Sequence, residues 1–170
     1  MSAAAKIRES LTKLAETLSK NPEKARVKNI PATALLEHGL RCRVTGPGGE
    51  IIHTDMPAGM GGDSSAPNPA WFMRAALASC NATRIAMQAA EQGINLTNLE
   101  VSVSSETDSR GLLGLDENVS AAMRPLHVQV KISAADASAE DLKKLVEWAC
   151  SHSPVACTDA NAATLDVQVG

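Results

Sequence analysis

Aromatic side chains are nearly absent: Tyr does not occur, Phe occurs once and Trp twice in 170 residues, 2% of the chain. With 44% hydrophobic residues the chain still suits a globular domain, so its core must be built from Ala, Val, Leu, Ile and Met. Small side chains let helices approach closely but bury little area per contact, and dimerisation is expected to supply part of the missing burial. The charge balance is also unexceptional, at −3 with no basic stripe interleaved with aromatics. That argues against nucleic acid as a partner. No apolar run of about 18 residues is present, so no membrane span is expected. The opening MSAAAKIRESLTKL carries charges where a signal peptide needs a continuous apolar stretch, and a cytoplasmic protein is expected. Paired CxxC or HxxxH spacing is missing too, which disfavours structural zinc. The four cysteines, Cys42, Cys80, Cys150 and Cys157, are then expected to be reduced, and reactive or buried.

What is present falls into a clear order. Ile7, Leu11, Leu14 and Leu18 recur at helical spacing over 3–20, and Asn21-Pro22 closes that helix. It reads as an appendage over residues 1–22, leaving 23–170 as a single domain. Short strands are expected over 25–30, 40–46 and 50–55, with Thr45-Gly46-Pro47-Gly48-Gly49 turning between the last two. The stretch 56–69, MPAGMGGDSSAPNP, mixes proline and glycine with small polar residues and reads as a functional loop. Residues 70–93 are apolar nearly all round, the pattern of a central helix, with Gly93 placed to stop it.

Period-two alternation then marks strands over 99–104 and 126–132, and a loop with a short helical piece fills 107–123. Ser138 is placed to cap a helix whose inner stripe is Leu142, Leu145, Val146 and Ala149. A last strand is expected over 163–169. Strands in runs, with helices that do not alternate one for one, define an α+β fold.

Cys80 sits midway along the apolar helix. A lone cysteine there commonly packs as a small hydrophobe. Reactivity requires a second thiol and a cation that favours the thiolate. Cys150 lies one turn past Val146, on that helix's apolar side, and packing of the two helices permits, without requiring, a Cys80–Cys150 separation within disulfide reach. His152 suits a helix end. Cys42 lies between Arg41 and Arg43, the two arginines on one strand face and the thiol on the other. Two cations on one strand face are ordinarily solvated; the alternatives are that they hold an anion or support a thiolate.

The loop MPAGMGGDSSAPNP, the helix WFMRAALASCNATRIAMQAAEQGINL, the strand LEVSVS and the run HVQVKISAADASAEDLKKLVEWACSHSPV together resemble the OsmC/Ohr family of osmotically inducible and organic-hydroperoxide-resistance proteins. The resemblance covers 40–169. It implies an intertwined homodimer in which antiparallel sheets wrap two long central helices. It also implies a cofactor-free peroxidase in which Cys80 attacks an organic hydroperoxide. The resulting sulfenic acid is resolved by a second cysteine, and a lipoyl-type dithiol reduces the disulfide. The supporting arginine is drawn from the N-terminal strands, where Arg41 and Arg43 stand, with Arg26 a weaker candidate.

The sequence departs from the family pattern twice. Family peroxidases carry a glutamate in the first turn of the central helix, where Ala70 and Trp71 follow Pro69 here. Their resolving cysteine directly precedes a proline, where this chain has Ser153-Pro154. Cys150 becomes the candidate resolving thiol, with Cys157 beyond the proline turn. The alternative is a divergent relative that binds a small apolar ligand at the dimer interface without turning over peroxide.

Overall fold

The structure is a computed structural model and describes residues 2–159. The strand expected over 163–169 lies outside them. In chain order the elements are α1 (Ala3–Lys20), β1 (Thr33–His38), β2 (Arg41–Thr45), β3 (Ile51–Thr54), α2 (Pro69–Gln92), β4 (Leu96–Ser105), α3 (Ser109–Leu112), β5 (Leu126–Ala134), α4 (Ala139–Ser151) and α5 (Pro154–Asp159). Short 3-10 turns occupy Pro22–Ala25 and Ala58–Met60. Both sheets are antiparallel, and the α+β class read from the sequence is what the chain adopts. The chain divides into two compact units, Leu14–Ala75 and the remainder, and both α1 and α2 run across the border.

The unit of residues 14–75 holds the sheet β1-β2-β3. The strand expected over 25–30 is not formed; the first strand is β1, which starts at Thr33. Residues 26–32 join no ladder, and Pro31, which has no N–H to give one, bars a strand from running through that position into β1. The stretch TALLEH is free of proline and is followed by Gly39, whose φ of 55° turns the chain into β2. β1 and β2 pair Leu35 with Arg43 and Leu36 with Cys42, and the register slips between Leu36 and His38. The β2–β3 turn closes through Gly46 N donating to Glu50 O at 2.9 Å, with Gly49 at a φ of 85°. Every residue of β1 is exposed, including Leu35 and Leu36.

The other unit contains the rest of α2, the β4-β5 sheet and α4. Leu77, Asn81, Ile85 and Ala89 are buried along α2 at intervals of four, one continuous face of the helix. Ile85 and Ala89 meet Leu145 and Ala149 of α4, and all four are at most 1% exposed. Leu99, Val101, Val130 and Ile132 of the β4-β5 sheet pack against that cluster. Small residues at 89 and 149 permit this packing in a core without aromatics. The helix ends are satisfied locally. Gly93 stops α2 at a φ of 78°, its amide donating to Ala90 O and that of Ile94 to Ala89 O, the left-handed ending glycine allows. Arg8 of α1 donates through Nε to Ala90 O at 2.7 Å, placing a cation on the last carbonyls of α2. Ser138 caps α4 by accepting from Asp141 N at 3.1 Å.

Candidate functional site

Cys80 is half-buried on α2, one position before the buried stripe residue Asn81. α4 ends at Ser151, the chain turns through His152 and Ser153, and Pro154 starts α5. Ser153 N donates to Cys150 O at 3.2 Å and Cys157 N donates to Ser153 O at 2.9 Å, so the turn is tied on both sides. The Ser153 side chain is fully buried, and its hydroxyl donates to Cys80 Sγ at 3.1 Å. The group that touches the Cys80 sulfur is therefore an oxygen on the α4–α5 turn.

Cys150 stands one turn earlier, half-buried against the core cluster of Ile85, Ala89, Leu145 and Ala149. Burial raises its thiol pKa above the ordinary value, because a low-dielectric surrounding penalises the thiolate. Cys157 is exposed, and its Sγ donates to Ser151 O at 3.3 Å. The four cysteines form no disulfide with one another. His152 belongs to the helix end, as expected. Its Nδ1 lies 2.8 Å from Trp148 O, and its ring stacks on Trp148 with centroids 3.9 Å apart. Arg84 lies over the same indole at 4.5 Å, a cation–π contact that gives one of the two tryptophans a partner.

In the other unit, Arg41 and Arg43 come together on β2 around a residue the sequence reading did not single out. Glu37 accepts from Arg43 Nε at 3.0 Å, and its second oxygen lies 3.6 Å from Arg41 Nε and 3.7 Å from His53 Nε2. Cross-strand register puts Arg43 opposite both Leu35 and His53, whereas Cys42 pairs with Leu36 and Thr54 and takes the other face. This is the alternation read from the sequence. Arg26 is exposed, just past the 3-10 turn.

The first turn of α2 carries no acidic residue. It is capped instead by Asn68, whose Oδ1 accepts from Trp71 N at 2.8 Å. The carboxylate paired with the strand arginines thus sits on β1. Its signal was the Leu35-Leu36-Glu37 pattern in a stretch not recognised as a strand.

Asp55 is the second residue missed. It is 2% exposed, directly after β3. Its Oδ2 accepts from Ser65 N at 3.0 Å, Ser65 Oγ at 2.7 Å and Asp63 N at 3.2 Å, while Oδ1 accepts from Met56 N at 2.8 Å. These bonds, led by those from Ser65, lower its pKa to about 2, as expected where donors favour the charged form. The loop 56–69 is therefore wound around one ionised carboxylate. Arg41 Nη1 donates to Ser65 Oγ at 2.7 Å, so the arginine is coupled to Asp55 through that hydroxyl. Asp55, Ser64, Asn68, Trp71 and Arg74 contribute to the wall of an open cleft of about 410 Å³ beside the loop. Ser64 holds a φ of 53°, a conformation uncommon for a residue with a Cβ.

No helix among the described residues is long and apolar enough to cross a membrane. They also contain no group of three or more His, Cys, Asp or Glu arranged to hold a metal ion.

A search of curated proteins finds no match. Solved structures do match in fold. An OsmC-like protein of Mycoplasma pneumoniae superposes with a TM-score of 0.67 at 15% identity, over 79% of this chain and 89% of that one. An organic hydroperoxide resistance protein of Elizabethkingia anophelis, with thiocyanate bound, gives 0.58 at 20%, over 80% and 91%. The organic hydroperoxide resistance protein OhrB of Bacillus subtilis gives 0.51 at 22%, over 78% and 93%. The family model described as OsmC-like protein matches residues 61–168, a span that takes in Cys80, Ser153 and both of the C-terminal cysteines. On that match, the chain belongs to the OsmC-like protein family.

Proposed function

We propose that this protein reduces organic hydroperoxides through the Cys80 thiolate, as a homodimer in the reducing cytoplasm, for defence against oxidative stress. The observation that carries the reading is the 3.1 Å hydrogen bond from Ser153 to Cys80 Sγ. It ties the α4–α5 turn, flanked by thiols three residues before and four after Ser153, to the one cysteine on the central helix. A donor aimed at sulfur favours the charged form, which is the nucleophile.

Cys80 attacks the terminal oxygen of the hydroperoxide, the O–O bond breaks, and the alkoxide leaves as an alcohol after taking a proton. Cys80 becomes a sulfenic acid. Cys150 then condenses with it, forming a disulfide and releasing water. A dihydrolipoyl-type dithiol reduces that disulfide and is itself oxidised to its cyclic disulfide. Arg41 and Arg43 are assigned to hold the hydroperoxide or the thiolate, their guanidinium groups oriented by Glu37. The exposed β1, with Leu35 and Leu36, and exposed Ile51 and Ile52 on β3 favour cover by a second copy.

The test is titration of thiols with cumene hydroperoxide, followed by dihydrolipoamide. Thiols are expected to fall by two per chain and to recover. If they survive a modest excess of peroxide, the enzymatic reading fails. Cys150→Ser is expected to allow one turnover and then over-oxidation of Cys80; that phenotype in Cys157→Ser alone would move the resolving role to Cys157.

A second reading is favoured by the packing of Cys150. Its thiol sits against an apolar core with a raised pKa, a poor state for a resolving nucleophile. On that reading the scaffold binds a small apolar ligand at the dimer interface and consumes no peroxide.

A further inference from the structure

Ser153 is the residue of the α4–α5 turn whose side chain faces chemistry. Its backbone is fully engaged by the turn, the amide donating to Cys150 O and the carbonyl accepting from Cys157 N. Its position just before Pro154, at the start of α5, is one where a serine hydroxyl ordinarily accepts from an amide of the following turn. Here the hydroxyl is turned the other way and donates to Cys80 Sγ. Ser153 is fully buried, so water does not compete for that proton.

A thiol is a weak acceptor and a thiolate a strong one. The same geometry therefore gains strength when Cys80 loses its proton. An oxygen at this position also cannot join a disulfide, so the contact that activates Cys80 cannot consume it.

We propose that Ser153 is a positioning residue for Cys80: its buried hydroxyl fixes the direction of the Cys80 side chain and stabilises the thiolate, while withholding a local sulfur from the oxidised state. Resolution of the oxidised Cys80 then falls to a thiol that is not its hydrogen-bond partner, either Cys150 at the end of α4 or one on a separate molecule. The proposal shares with the function above the assignment of Cys80 as the reacting thiol, and its test needs no hydroperoxide.

Iodoacetamide alkylation is followed cysteine by cysteine by peptide mass spectrometry across a pH series, on the full chain and on Ser153→Ala. The midpoint for Cys80 is expected to rise by about one pH unit in the variant, with the midpoints of Cys42 and Cys157 unchanged. Loss of a purely structural cap would lower the melting temperature and leave the Cys80 midpoint where it was, and that outcome overturns the proposal.

Ser153→Cys is the second arm, in case the alanine variant does not fold. Treated with diamide, which takes up two electrons and two protons as two thiols join, it is expected to give a disulfide between Cys80 and the introduced thiol. An introduced thiol that pairs with another cysteine, or stays reduced, overturns the contact itself. A shifted midpoint in a protein whose thiols ignore cumene hydroperoxide would keep this inference and remove the peroxidase.

Discussion

Cys80 lies in the unit whose interior is mainly aliphatic, with Ile85, Ala89, Leu145 and Ala149 closed to solvent and Asn81 and Ser153 its buried polar side chains among the described residues. Arg41 and Arg43 lie in the unit whose buried residues, among those described, are Thr54 and Asp55. The first unit packs its aliphatic cluster against the β4-β5 ladder, and its polar group of interest is a hydroxyl–sulfur pair. The second is held by backbone ladders and a carboxylate that collects amides from its own loop. Aliphatic packing depends little on pH, whereas the Asp55 cage depends on ionisation. The Glu37 cluster is about one-third exposed at each partner, so it orients side chains more than it stabilises the fold.

Cys80→Ser is expected to abolish hydroperoxide consumption, because no nucleophile remains on the central helix. Steady-state consumption of cumene hydroperoxide checks it, and residual turnover would place the chemistry at another cysteine.

Next is the aliphatic core. Ile85→Ala leaves a cavity at a fully buried site and is expected to cost roughly 2–5 kcal/mol, read by chemical denaturation. Its cost should be nearly the same at pH 7 and pH 3.

Asp55→Asn sharpens the contrast. The folded pKa of Asp55 is depressed from 3.8 to about 2. Its contribution to stability is therefore present above the unfolded pKa and is lost as pH falls through the folded one. The variant is expected to melt well below the wild type at pH 7, with the gap closing between about pH 4 and 2. A gap that stays constant over that range would show that ionisation of Asp55 does not hold the loop.

The smallest effect on stability is expected at Glu37. Glu37→Gln should change the unfolding free energy by less than about 1 kcal/mol. If the carboxylate orients the arginines, the rate of Cys80 oxidation should nevertheless fall. An unchanged rate would leave Glu37 as a surface ion pair.

The outline of the fold was legible where periodicity was long. The i, i+4 apolar ladder of α2, the alternation of β4 and β5 and the Ser138 cap each follow from local chemistry. The first strand was misplaced because the β-branched Val27 and Ile30 suggest a strand, while TALLEH has no clean alternation. The site was half legible. Cys80 and the shared face of Arg41 and Arg43 were in the pattern. Glu37, Asp55 and Ser65 were not, because each acts on a residue many positions away, through a ladder register or a loop closure that spacing does not encode.

The sequence by itself determined the α+β class, the apolar central helix and which residue types are available for sulfur chemistry. It did so because side-chain periodicity and turn chemistry are local properties of the chain. Tertiary structure decided which group reaches the Cys80 sulfur. Residues 80 and 153 are separated by two strands and two helices, and only the packing of α4 against α2 turns a buried serine hydroxyl onto that atom.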